Sequence, residues 1–290
     1  TAPYLNPRPR DYRLGIFKFT STTPQDRVRR DDLHRVIRYG IPGTYMPSFL
    51  LLKDEELTSI TEYVRWLSMR GEFEKRIVDG FYGDYSAAAI KDRIEGGETQ
   101  AEIDETLKSE DFAEEYNDSV ESAGDNIARI WSRAEEESSV VHPKTPRIDP
   151  AVDPESVERG RKLYLSDKTK CVSCHGPAAH GDGPQTLAYQ KRPDGAEYPL
   201  PGLYDDWGHP LKPRDLTMGI YRGGRRPVDL YRRIYSGIKG AAMPAFSTAL
   251  KEEDIWDLVN YVLSVPYDGE APPALKPETS TKTADRSTAH

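Results

Sequence analysis

Cysteine is scarce enough to be informative: the 290-residue chain has two, and both fall within one four-residue stretch. That excludes a disulfide framework and any zinc site built from four thiolates. Methionine is nearly as rare, with four. No run of 18 apolar residues occurs, so no segment reads as a membrane-spanning helix. Hydrophobic residues make up 37% of the chain and the mean hydropathy is -0.72, the profile of a polar protein. Lys and Arg (40) are outnumbered by Asp and Glu (48), for a net charge of -8. That balance disfavours nucleic acid and favours a neutral or basic docking partner. No signal peptide is present and the first residue is Thr1, so the expectation is that an upstream segment was removed or never included. The length suits two domains of ordinary size.

What is there begins with Cys171-Val172-Ser173-Cys174-His175-Gly176. C-x-x-C-H is the attachment signal for a c-type haem. Two thiols at this spacing reach the two vinyl groups of one porphyrin, and the following His175 is held where its imidazole can bind the iron. A zinc knuckle would need two further ligands beyond Cys171 and Cys174. A thioredoxin-like pair would need a βαβ context, which the flanking sequence lacks. A soft thioether is the usual partner opposite such a histidine in electron-transfer haems. Met243 lies 68 residues on, in Gly240-Ala241-Ala242-Met243-Pro244-Ala245-Phe246. Small residues let this loop approach a porphyrin face, and Pro244 fixes the backbone just after the ligand. The competing role for Met243 is to fill a core gap.

Residues 153 to 265, with C-V-S-C-H-G, a G-x-x-x-M-P loop and a closing helix, resemble a class I cytochrome c domain. The resemblance implies a covalent haem at Cys171 and Cys174, iron ligands His175 and Met243, and an extracytoplasmic, periplasm-type compartment. It also implies a close crossing of the first and last helices. Gly160 and Tyr164 on the helix ending near Leu165, facing Tyr261 on Lys251–Ser264, would supply that crossing. Arg214, Tyr221 and Arg222 are candidates for contacts to the haem propionates through charge-assisted hydrogen bonds. His180 and His209 are rival ligands better read as surface residues.

A repeat lies upstream. Gly40-Ile41-Pro42-Gly43-Thr44-Tyr45-Met46-Pro47-Ser48-Phe49 matches Gly237 to Phe246 at an offset of 197 in its Gly, Ile, Gly, Met, Pro and Phe positions. Asp32-Leu33, Arg35 and Ile37 match Asp229-Leu230, Arg232 and Ile234; Pro9-Arg10-Asp11 matches Pro213-Arg214-Asp215 at an offset of 204. Downstream, Glu55, Leu57, Ile60, Tyr63 and Val64 match Glu253, Ile255, Leu258, Tyr261 and Val262 at 198. Residues 1–70 therefore read as a second cytochrome c-like unit with Met46 as its ligand candidate, but without a C-x-x-C-H. Either the unit has lost its haem or the motif belongs about fifteen residues before Thr1; the retained Met46 loop favours the second.

The expected fold class is mainly α: two class I cytochrome c-like units joined by an acidic helical insert at 71–150, with the haem domain at 151–265 and a disordered tail at 266–290. Thr99-Gln100-Ala101-Glu102 reads as a capping box for a helix through Leu107, and Ser109 as the cap of a second helix. The second carries an apolar stripe from Phe112 through Ile127 and Trp131 to Ala134. From Glu95 to Val140 there are fifteen acidic residues and three basic ones, the mark of a solvated face. Residues 142–150 read as a proline-stiffened boundary. The expected function is one-electron transfer, as a dihaem relay subunit of a larger respiratory or photosynthetic complex with redox protein partners. The alternatives are a dihaem cytochrome c peroxidase-type enzyme, which two Met-Pro loops argue against, and the electron-accepting subunit of a periplasmic oxidoreductase.

Overall fold

Apolar stripes at helical spacing build nearly all of the regular structure. The computed structural model describes residue 5 and residues 7–268, and contains one hairpin and nine α-helices among them. The N-terminal half holds α1 (Arg30–Tyr39), α2 (Asp54–Tyr85), α3 (Ala87–Glu95), α4 (Gln100–Lys108) and α5 (Glu110–Ala134). The C-terminal half holds α6 (Glu155–Leu165), α7 (Cys171–His175), α8 (Pro227–Ser236) and α9 (Glu252–Ser264). Between α7 and α8 the only strands are β1 (Leu203–Tyr204) and β2 (Pro210–Leu211), paired antiparallel.

The C-terminal core is organised by α9, whose Ile255, Leu258, Val259 and Leu263 are buried against Tyr164, Leu230 and Tyr231. Helix α6 crosses α9 at Gly160. A Cβ there would stand 2.5 Å from the Asp257 carbonyl carbon and 2.8 Å from the Tyr261 Cβ. The rings of Tyr164 and Tyr261 then pack at 5.1 Å between centroids. Gly124 in α5, by contrast, has nothing within 4 Å of an added Cβ. The same substitution should therefore act in opposite directions at the two sites. Gly160→Ala forces α6 off α9 and is expected to cost about 1–3 kcal/mol, the usual range for overpacking. Gly124→Ala should stabilise by roughly 0.5–1 kcal/mol through helix propensity. Thermal melts of the two variants decide this, and shifts of the same sign would rule out the tight crossing.

The boundary segment 142–150 is strapped along α9. Trp256 Nε1 donates to the Thr145 carbonyl at 2.7 Å, Asn260 Nδ2 to the Ile148 carbonyl at 3.0 Å, and Arg147 Nε to Asn260 Oδ1 at 2.7 Å.

The N-terminal core gathers Phe17, Val28 and Leu33 around Ile127 and Trp131 of α5. The lower part of the α5 stripe is thus core of this half, while Phe112 and Tyr116 pack against Phe81 of α2. Capping at Thr99 and Ser109 occurs as the sequence reads, with reciprocal Thr99–Glu102 bonds. Helix α2 departs from expectation. The boundary expected between residues 70 and 71 falls inside it, for it runs unbroken to Tyr85. Gly71 does not stop it because that glycine marks a close approach: a Cβ there would meet the Arg13 Cβ at 2.5 Å. The next residue, Glu72, is buried, accepts from Trp131 Nε1 at 3.1 Å and pairs with Arg27 at 2.7 Å. Helix α6 begins at Glu155, with Pro154 as its N-cap. Val265–Tyr267 forms a short 3-10 turn rather than the start of a tail, and residues 269–290 lie outside the described residues.

The two methionine loops have the same local construction. Ile41 N donates to the Met46 carbonyl at 3.2 Å and Ile238 N to the Met243 carbonyl at 3.1 Å. Thr44 N and Ala241 N each reach back to Ile41 and Ile238 at 3.1 Å. The glycine before each loop, Gly40 and Gly237, has positive φ (66 and 70°), and a Cβ on either would lie 2.7 Å from its methionine carbonyl oxygen. The halves also exchange contacts reciprocally: Gly43 abuts Arg214 and Ile220, while Gly240 abuts Ile16 and Trp207. Ile16 and Ile220 are themselves 204 positions apart. Arg35 of α1 pairs with buried Asp229 of α8 at 2.9 Å.

Candidate cofactor site

Helix α7 is five residues long and is held from outside rather than by its own ladder. Lys170 precedes it with φ 51° and Gly176 ends it with φ 75°. Tyr164 of α6 donates its hydroxyl to the Gly176 carbonyl at 2.7 Å. The following loop folds back, so that Gly181 N and Gly183 N satisfy the carbonyls of His175 at 2.8 Å and Cys174 at 3.0 Å. A side chain at Gly183 would strike the Ser173 carbonyl oxygen at 2.5 Å. The motif is thus displayed on a rigid turn, with its helix-end acceptors satisfied.

His175 Nδ1 lies 3.1 Å from the Arg214 carbonyl oxygen. A carbonyl only accepts, so Nδ1 carries the proton and Nε2 keeps its lone pair for a metal. Burial pushes the imidazole pKa down, which holds it neutral and suits it to ligation. Cys171 and Cys174 are free thiols, and burial raises the pKa of Cys171. Cys174 Sγ donates to Gln185 Oε1 at 3.1 Å.

Cys171, Cys174, His175 and Met243 all line one cavity of about 530 Å³. That volume is typical of a ligand site, for which ~300–1,000 Å³ is usual. Its walls are mostly apolar, with Leu216, Leu230, Ile234, Phe246, Leu258 and Val262 among them. Arg214, Tyr221 and Arg222 border the same cavity. Arg222 Nε is buried without a partner, a donor awaiting an acceptor. Arg214 Nε is committed to the Ile220 carbonyl at 2.9 Å, and the Tyr221 hydroxyl donates to the Val262 carbonyl at 2.7 Å. Of the three propionate candidates, Arg222 therefore has the clearest unspent donor, and Tyr221 serves the wall itself. The donor set fits a c-type haem: two thiols, an imidazole with Nε2 available, a thioether and a guanidinium facing one apolar cavity. Among the described residues no three His, Cys, Asp or Glu side chains converge as a metal site, which leaves the zinc reading without ligands.

His180 and His209 are not in the cavity wall; they stand 3.7 Å from Asp215 and Asp205 respectively. Met46 is half-buried on its own loop and does not line this cavity. Three wall residues escape a reading of the sequence. Arg233, part-buried, donates to the carbonyls of Arg222 and Gly224 and fixes the loop that carries Arg222. Lys18 and Phe19 arrive from the N-terminal half. The offset of 204 that aligns Arg10 with Arg214 also aligns Lys18 with Arg222, the one signal from which Lys18 was recoverable.

Residues 157–266 match the model of the Cytochrome c family. That family binds a c-type haem covalently. No curated protein matches the chain. Among solved structures, the chain is similar to a component of the reducing HAO-like protein complex of Kuenenia stuttgartiensis, with 23% sequence identity and a TM-score of 0.59. The similarity covers 91% of this chain and 84% of that one, so it extends beyond residues 157–266 to the N-terminal half and its helices. At this identity the likeness is one of fold.

Proposed function

We propose that the chain is a one-electron carrier: a haem bonded to Cys171 and Cys174, ligated by His175 and Met243, and part of a dihaem relay in a larger extracytoplasmic redox complex. The observation that carries the reading is the His175 Nδ1 contact to the Arg214 carbonyl, which leaves Nε2 free within a cavity that also contains Met243 and both thiols. The bound haem would supply reversible one-electron chemistry. The chain's own residues fix the imidazole tautomer, exclude water with an apolar wall and present Arg222 to the carboxylate edge. His175 and Met243 would both hold the iron of such a group, which would leave no coordination site for peroxide. That favours a carrier over a peroxidase-type enzyme.

The relay rests on the two methionine loops. Their shared hydrogen bonds and reciprocal packing against the opposite half support a second haem unit centred on Met46. The similar chain in a reducing HAO-like complex supports a role beside an oxidoreductase, passing electrons to or from it.

Met243→His tests the ligand assignment. Exchange of thioether for a second imidazole is expected to lower the reduction potential and abolish the sulfur-to-iron charge-transfer band of the ferric protein. Retention of both band and potential would place Met243 outside the iron's coordination sphere.

A further inference from the structure

Lys18 is an odd residue to find in the wall of the C-terminal cavity. It comes from the extended segment before α1, more than 150 residues from Cys171 in sequence, and its side chain is only 10% exposed. Its nearest anion is Asp205, with Nζ and carboxylate 4.0 Å apart, beyond hydrogen-bonding distance. The other charged groups facing it are Arg10, Arg222 and Asp206. Arg214 adds a further cation beside Arg222. Lys18, Arg10, Arg222 and Arg214 thus form a run of four cations, in which Lys18 meets two carboxylates. Arg10 Nη1 and Arg222 Nε are buried without partners, although Arg10 also lies over the Trp207 ring at 4.3 Å. Cation excess and unspent donors at a cavity edge mark a place for anionic oxygen. The carboxylates of a haem held by Cys171 and Cys174 are of that chemistry.

The four cations are not equivalent. Arginine stays charged in proteins, whereas a buried lysine readily releases its proton. Burial, then repulsion from Arg10, lowers the Lys18 amine to about 8, against a weaker opposing pull from Asp205. Among these four cations, Lys18 is thus the one whose charge changes near neutral pH.

We infer that Lys18 is a proton-binding residue coupled to reduction of the haem, taking up one proton from solvent at Nζ as the iron accepts one electron from a protein donor. The inference rests on the haem reading above. Charge balances, since one electron and one proton enter together. The sign follows from electrostatics. A protonated Lys18 favours the ferrous state and raises the potential, and the added electron raises the Lys18 affinity for its proton. The potential therefore falls with rising pH once Lys18 begins to deprotonate. An N-terminal side chain would in this way set the driving force at the C-terminal haem.

The test is redox titration of the haem-loaded protein from pH 6 to 11, in the native form and as Lys18→Met, Lys18→Arg and Lys239→Met. Lys239 is the control because burial lowers its amine to about 8 as well, while its ammonium is held by Thr22 and the Asp26 carbonyl. The native potential is expected to decline above about pH 8. Lys18→Met should be flat over that range and low throughout; Lys18→Arg should be flat but high; Lys239→Met should keep the native slope. A native slope in Lys18→Met, or its loss in Lys239→Met alone, overturns the inference. If Lys18→Met fails to mature, Lys18→Arg decides, since a persisting slope there has the same meaning. A native protein without covalent haem would instead overturn the functional reading, so the two failures are separable.

Discussion

Replacing both Cys171 and Cys174 by alanine is expected to abolish covalent haem in the C-terminal half and to cost that half its cooperative fold. No third cysteine lies among the 290 residues to form a thioether in that half. The cavity these thiols border is about 530 Å³. At ~24 cal/mol per Å³, an unfilled cavity of that size carries a penalty on the order of 10 kcal/mol, an upper bound for one partly open to solvent. Typical domain stabilities are only ~5–15 kcal/mol, so losing the group that fills the cavity removes most of the margin. Acid–acetone extraction, haem staining after denaturing electrophoresis and a thermal melt check the two halves of the expectation. Covalent haem persisting on residues 151–265 in the double variant would refute the attachment site. A sharp native-like melt without haem would refute its structural role. Each single alanine variant should retain one thioether and an intermediate stability.

Local signals in this sequence were legible where one element determined its own geometry. The capping box at Thr99 and the cap at Ser109 depend on neighbours within four residues, and they occur as read. The Gly160 crossing was legible because a glycine inside a helix asks for a close contact. What escaped depends on residues far apart in the chain. Helix α2 outruns the boundary expected after residue 70 because Glu72 and Gly71 are held by Trp131, Arg27 and Arg13, none of which marks the helix locally. The cavity's buried cations escaped for the same reason. Arg233 reads as a solvent-facing arginine in an amphipathic helix, yet its guanidinium turns inward to two loop carbonyls. Lys18 looks like a surface lysine until the two halves are placed together.

A second haem over Met46 is expected in the complete native protein, and the surface of the N-terminal half gives the reason. Leu258 and Tyr261 of α9 are 2% and 9% exposed, covered by the cavity and by α6. Their counterparts on α2, Ile60 and Tyr63, are 37% and 59% exposed, and Trp66 on the same face is half exposed. Tyr39, Tyr45 and Leu51 add further uncovered apolar surface around the Met46 loop. An apolar face of this extent, built on the same hydrogen-bonded loop as Met243, needs a cover of matching chemistry. On α9 that cover is a helix with glycine at the crossing and, beneath it, the cavity assigned to a porphyrin. The position equivalent to Asp257, where Gly160 meets α9, is Ser59, which is exposed on α2. The expected arrangement is therefore a small-residue crossing over Ser59 and Tyr63 and a porphyrin against Ile60, Val64 and Met46. No second pair of thiols occurs among the 290 residues, where Cys171 and Cys174 are the only cysteines. A pyridine haemochrome assay on the complete protein should give two haems per chain. Met46→Ala should then remove one of two methionine–iron charge-transfer signals and leave the Met243 signal in place. One haem per complete chain, with Met46→Ala spectroscopically silent, would mean that the N-terminal half is a haem-free copy and that electrons pass through a single centre.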